Sequence, residues 1–161
     1  MRAISLWQPW ATLWLLSDPD EKVFETRSWY TSYRGELLVH AAKKRDGEVR
    51  EFLQARGVHE RLAAHGLTVA DLNYGALIGK VRLIGCCQMR NMLSAYQALS
   101  ERELSFGNWE PERYAWERAA RPVLFRKPIR YCGSQGLFDV PASVVAEAEK
   151  EVPCASTQIK S

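Results

Sequence analysis

The sequence holds no cysteine pair at metal-binding spacing, no apolar run long enough to cross a bilayer and no strong excess of either charge. Each absence excludes a class of function. The four cysteines are Cys86, Cys87, Cys132 and Cys154. None makes a Cys-x-x-Cys pair, and His40, His59 and His65 are scattered, so neither a disulfide framework nor a metal site is expected, and no cofactor is implied. Free thiols suit a reducing cytosol, which makes the cytoplasm the expected location. The apolar stretch from Ile4 to Leu16 follows Arg2 and so imitates a signal peptide. Gln8-Pro9 interrupts it, Ser17-Asp18-Pro19-Asp20 ends it, and no small-residue cleavage site is seen. It is also too short for a membrane-spanning helix, so no membrane partner is expected. The formal net charge of +3 is mild and does not by itself argue for nucleic acid. Repeats and low-complexity tracts are also missing.

What is present suits one globular domain. The 161 residues are 47% apolar and 25% charged. A single domain over residues 1–152 with a flexible tail over 153–161 is expected. Tryptophan is abundant: Trp7, Trp10, Trp14, Trp29, Trp109 and Trp116. Most are expected in the core, where an aromatic ring buries a large area. The remainder are candidate platforms for stacked bases.

The periodicity gives short strands with helices between them. Ala3–Leu6 reads as a strand and Pro9 opens a helix to about Leu16, with Trp10, Leu13 and Trp14 on one face. Val23–Tyr30 alternates, with Val23, Glu25, Arg27 and Trp29 on one side. Glu36–Ala42 is a further strand, with Leu38 and His40 on a common face. Asp46 is placed to cap a helix over Gly47–Ala55. A second helix covers Val58–His65 and stops at Gly66; Thr68 and Asp71 have capping-box spacing. Gly75–Gln88 is the longest strand signal, and Gly79 and Gly85 suggest that it bends. Asn91–Leu104 reads as helix or loop, Arg113–Glu117 with Val123–Phe125 as a hairpin, and Gly136–Val140 as a last strand before a helix opened by Pro141. The expected class is α+β, with a mixed, largely antiparallel barrel, closed or half-closed, and flanking helices.

Candidate functional residues cluster early. Glu25 can accept from an exocyclic amine, as carboxylates do toward cytosine. Lys22 and Arg27 can hold an acyl oxygen or a phosphate. Trp7, Trp29 or Trp116 can stack on a base, and Tyr114 shares a strand face with Trp116. A structural ion pair between Glu25 and Arg27 is an equally good reading. His40 reads first as a hydrogen-bonded strand residue and second as a general base. Two basic groups, Lys43-Lys44-Arg45 and Arg118, Arg121, Arg126, Lys127 and Arg130, are candidate phosphate contacts or solvated turns. Cys86-Cys87 reads as buried strand.

The runs Ser5-Leu6-Trp7-Gln8-Pro9-Trp10-Ala11, Lys22-Val23-Phe24-Glu25-Thr26-Arg27 and Tyr33-Arg34-Gly35-Glu36-Leu37 closely resemble the ASCH (activating-signal-cointegrator homology) family, a relative of PUA domains. Arg113-Tyr114-Ala115-Trp116 and Gly136-Leu137-Phe138, with Val140, extend the resemblance toward the C-terminus, as in bacterial and phage members. One departure is that Asp18-Pro19-Asp20-Glu21 stands where a glycine usually precedes the lysine. The resemblance implies a PUA-like barrel whose cleft beside the first helix takes RNA or a modified nucleoside. Trp7, Gln8, Pro9, Trp29, His40, Tyr114 and Trp116 are then the ligand-binding candidates, and Lys22, Glu25 and Arg27 the catalytic ones. It also implies two enzyme alternatives, an amidohydrolase on N4-acylated cytidine and a ribonuclease. The amidohydrolase branch uses a threonine three residues after its lysine. Here Glu25 fills that position and Thr26 points to the opposite face, so that nucleophile is not carried over. A Lys22–Glu25 pair activating water remains open, as does a protein-interaction adaptor with a vestigial cleft.

Overall fold

The computed structural model describes residues 1–16, 22–43, 57–92 and 99–153. The expected helix capped by Asp46, the residues Lys44 and Arg45, and all of the C-terminal tail except Pro153 lie outside them.

Strand β4 (Ala76–Gln88) is the spine. Its length lets it pair with β3 (Gly35–Ala41) along one edge and with two strands in succession along the other. Its second half pairs with β5 (Tyr114–Arg118), and its first half pairs with β6 (Val123–Arg130). The expected hairpin of β5 with β6 is therefore corrected: the two lie one after the other against β4. β2 (Phe24–Arg27) adds to β5, β1 (Arg2–Leu6) pairs in parallel with β3, and β7 (Leu137–Asp139) runs antiparallel on β1. These seven strands form one mostly antiparallel sheet in the order β2-β5-β4-β3-β1-β7, with β6 beside β4. The expected barrel is not closed: among the described residues no ladder joins β2 to β7.

Alternation sends side chains to two cores. Ile4, Leu37, Val39, Ile78 and Trp116 enter one, with Trp14. Ala3, Leu38, Leu77, Phe125 and Ile129 enter the other, with Ala148 of helix α4 (Ala142–Lys150). Both faces of the sheet centre are thus dry, so the start of β4, Ala76 to Gly79, is buried throughout. Gly79 sits where β6 meets β4; a Cβ there would lie 2.2 Å from the Val123 carbonyl and 2.6 Å from Leu15. A third cluster joins Leu13 of α1 (Trp10–Leu13), Val58 and Leu62 of α2 (Val58–Ala64), and Phe106 after α3 (Glu101–Ser105). Helix α2 stops at Gly66, whose φ of 68° a side chain would strain. The capping box of Thr68 and Asp71 closes on a single 3-10 turn.

Candidate functional site

The parallel pairing of β1 and β3 places Ser5 directly beside His40. Both point to the face where the neighbouring pair, Ala3 and Leu38, is core. At this end the core gives way to a cavity of about 670 Å³, lined by Ser5, Trp7, Arg27, Trp29, His40, Lys43 and the loop Cys132–Gly136, with Ala42. That volume is ordinary for a small-molecule site, about 300–1,000 Å³. The β3–β4 ladder shifts register between Val39 and His40, with Ile78 the extra residue on β4. Such bulges re-aim the side chains beside them.

Ser5 Oγ lies 3.0 Å from His40 Nδ1, and His40 Nε2 lies 3.0 Å from the Tyr131 carbonyl. A carbonyl only accepts, so Nε2 carries the proton and donates. In the neutral ring Nδ1 is then the acceptor, and Ser5 donates to it. Burial holds the His40 pKa below its ordinary value, against the opposing pull of the Tyr131 carbonyl, so the ring is neutral near pH 7. Gly133 packs against this pair: a Cβ on it would lie 2.3 Å from His40 Nδ1 and 2.4 Å from Ser5 Oγ. Phe138 meets the imidazole edge-on, with centroids 6.2 Å apart, and Tyr131 stacks on Phe138.

Arg27 and Trp29 supply the opposite chemistry. The Arg27 guanidinium stands 6.0 Å from the Trp29 ring centroid. Trp29 in turn meets Trp116 edge-on at 4.5 Å, and Trp116 Nε1 donates to the Trp29 carbonyl at 3.2 Å. Trp116 is fully buried, so its expected place as a stacking residue is corrected: it is core, and it holds Trp29 from below. Tyr114 shares its strand face but packs on Tyr30 and does not line the cavity.

Lys22 and Glu25 come together behind Arg27. The Lys22 side chain is 1% exposed; its ammonium pairs with Glu25 at 3.1 Å and donates to the Phe24 and Phe106 carbonyls at 2.6 and 3.0 Å. Its three protons are therefore committed. Glu25 reaches Arg27 with its other oxygen at 3.6 Å. Of this trio only Arg27 lines the cavity. Glu103, from α3, accepts from the Val23 and Phe24 amides at 2.6 and 3.1 Å. Burial pushes the Glu103 pKa up, against the pull of those amides and of Lys22 and Arg118. Arg118 donates to the Lys22, Ala119 and Leu16 carbonyls. Its expected phosphate contact is corrected, because it is buried and fastens Leu16 to Lys22 across the segment between them.

Gln8 and Pro9 are also buried, at the start of α1. Gln8 accepts from the Thr12 amide and donates to the Asn73 carbonyl, which leaves its polar atoms to the fold. Among the basic residues, Lys43 lines the cavity. Arg130 ends β6 opposite Ala76, itself opposite Ala41, just before the cavity loop. Arg121, Arg126 and Lys127 are exposed, and Arg126 turns to the end of α4, donating to the Lys150 carbonyl at 2.5 Å. Ser5, Ala42 and the Cys132–Gly136 loop are the cavity residues that sequence reasoning missed. The Ser5 in the first motif was a usable signal; the loop, remote in sequence, offered none. Among the described residues no three His, Cys, Asp or Glu side chains gather as metal ligands, and no helix is long and apolar enough to cross a membrane.

The family model of the ASCH domain matches residues 4–126. The chain is 30% identical over 99 residues to Activating signal cointegrator 1 of Mus musculus, a match covering 61% of this chain and 16% of that protein's length. The crystal structure of ASCH from Zymomonas mobilis superposes with a TM-score of 0.52 at 13% identity, covering 94% of this chain and 95% of that one. A mutant of the same Zymomonas protein gives 0.52 at 14% identity, covering 94% and 98%. At such identity the likeness speaks for the fold alone.

Proposed function

The chain belongs to the ASCH domain family, and from that premise we propose that it binds RNA or a modified nucleoside, taking one base into the cavity beside β1 and β3. The observation that carries this reading is a single cavity with two tryptophans, Trp7 and Trp29, and two cations, Arg27 and Lys43, in its wall. Aromatic faces stack on any base, and cations meet the phosphates that flank it. Ser5 Oγ and the loop backbone add the polar groups that fix a base edge. Arg130 lies near enough in the sheet to extend the phosphate track toward the loop. An open cavity favours a ligand over a vestigial adaptor cleft, which side chains would fill. Exposed free thiols, Cys87 and Cys132, suit the cytoplasm.

The trio Lys22, Glu25 and Arg27 serves this reading through Arg27. The Lys22–Glu25 pair fixes the guanidinium against Trp29, so we assign the pair to positioning and not to water activation in an N4-acylcytidine hydrolase. The test is a titration of single-stranded RNA and of free nucleosides, followed by tryptophan fluorescence at low salt. Trp29→Ala is expected to cost about 1–3 kcal/mol of binding. Undetectable RNA and nucleoside binding at low salt, with the protein folded, removes the reading.

A further inference from the structure

We propose that Ser5 and His40 form a nucleophile–base dyad that cleaves an acyl ester carried by the bound nucleotide; the nucleotide part of this statement rests on the reading above. Three geometric observations carry it. The hydroxyl donates to Nδ1 at 3.0 Å, the distance at which a base takes a nucleophile's proton. The far nitrogen is held at 3.0 Å by the Tyr131 carbonyl, which fixes the tautomer that leaves Nδ1 free of a proton. Both residues line the same cavity as Arg27. A hydroxyl–imidazole pair in an open cavity, oriented by a third group, is the arrangement of activated serines on unrelated folds.

The third group decides the substrate class. In serine proteases a carboxylate stabilises the imidazolium that forms. Here a neutral carbonyl occupies that place, and the cations Arg27 and Lys43 share the cavity. The imidazolium is therefore less stabilised, which suits an ester with an alkoxide leaving group better than an amide. In the first step Ser5 Oγ attacks the acyl carbon while its proton passes to His40 Nδ1. The tetrahedral intermediate collapses, the ester C–O bond breaks, and the proton on Nδ1 goes to the departing alkoxide. Water then gives a proton to Nδ1 and attacks the Ser5 ester. Collapse returns that proton to Oγ and releases the carboxylic acid. Arg27 is the cavity's charge for the oxyanion in both steps.

The experiment treats the full chain with a fluorophosphonate probe and maps the adduct by mass spectrometry. It then follows p-nitrophenyl acetate and a ribose-O-acetyl nucleoside. The expected result is one adduct, on Ser5. Ser5→Ala should abolish it, and His40→Gln should lower its rate at least tenfold, with both variants folded by circular dichroism. Turnover of the nucleoside ester should follow the same variants. A folded native chain that takes no label, or a label or turnover that persists in Ser5→Ala, overturns the dyad. Ser5 labelling in a chain that binds no nucleotide keeps the dyad and removes the nucleotide reading. RNA binding without labelling does the reverse.

Discussion

Trp29 stands edge-on over the buried Trp116, their centroids 4.5 Å apart at 85°, so a wall of the cavity is carried directly by the core. Trp116 Nε1 also donates to the Trp29 carbonyl. Trp116→Phe keeps a ring and loses that hydrogen bond; it should cost about 0.5–1.5 kcal/mol of stability and weaken base binding with it. Trp116→Ala should cost about 3–5 kcal/mol. Urea denaturation beside a nucleoside titration checks both. Unchanged binding in a folded Trp116→Phe separates Trp29 from its support.

Lys22 is buried with all three protons committed, so removing its charge takes the nearer partner from Glu25, which keeps only Arg27, and the donor from two carbonyls. Lys22→Met should destabilise by about 3–5 kcal/mol, as breaking a buried pair does. The exposed Lys43→Met should stay within about 0.5 kcal/mol. If Lys22→Met instead kept its stability and lost ligand, Lys22 would belong to the site itself.

The strands were legible where period two is strong. Glu25 and Arg27 on one face of β2, and the alternation along β3, follow from residue order alone. Residue type singled out Trp7 and Trp29 as stacking candidates, Arg27 as a cation for an acyl oxygen or phosphate and Lys43 as a phosphate contact or solvated turn; that the four line one cavity is visible only in the fold. The dyad was half legible. His40 drew notice, but its partner is 35 residues away, and only the parallel register of β1 with β3 makes them neighbours. Trp116 failed for a related reason. Alternation puts it on a face with Tyr114 but does not say which face the core claims. The β5–β6 hairpin failed because the length of β4 offers both strands a separate place, a tertiary preference that no local signal carries.

Gly133 is required by close approach. Gly133→Ala would push a methyl into the Ser5–His40 hydrogen bond, at 2.3 Å from Nδ1. The loop must move, at a cost of about 1–3 kcal/mol, and fluorophosphonate labelling should fall with it. The exposed Glu147→Ala on α4, which does not line the cavity, should change neither. Full labelling of Gly133→Ala would show that the loop yields without disturbing the dyad.

Phosphate contacts release counterions, so RNA affinity should fall with salt, by a slope of about 0.7 per phosphate on a single strand. Lys43→Ala, on the cavity wall, should reduce that slope by one such step. Arg126→Ala should leave it alone, since Arg126 turns to the Lys150 carbonyl and to Glu151 at the end of α4. Equal effects of the two variants would place the RNA track across β6 instead.

Acid should silence the site before it unfolds the protein. His40 holds its proton less tightly in the native chain than the ordinary 6.5, because burial disfavours the cation. The groups facing it are the Ser5 hydroxyl, the Tyr131 carbonyl and the Phe138 ring, and the charged cavity residues Arg27 and Lys43 are cations. Between the lowered value and 6.5 the unfolded chain binds a proton that the native chain does not. Stability from this group is therefore full above 6.5 and is lost as pH falls through that window. Once protonated, Nδ1 can no longer accept from Ser5. The labelling rate should thus rise with pH along a single-proton curve whose midpoint lies below 6.5, and His40→Gln should flatten it. Stopped-time labelling between pH 4.5 and 8 checks the curve. A midpoint above 6.5 would mean that an anion outside the groups named here holds the imidazolium, and the neutral-carbonyl argument for ester substrates would go with it.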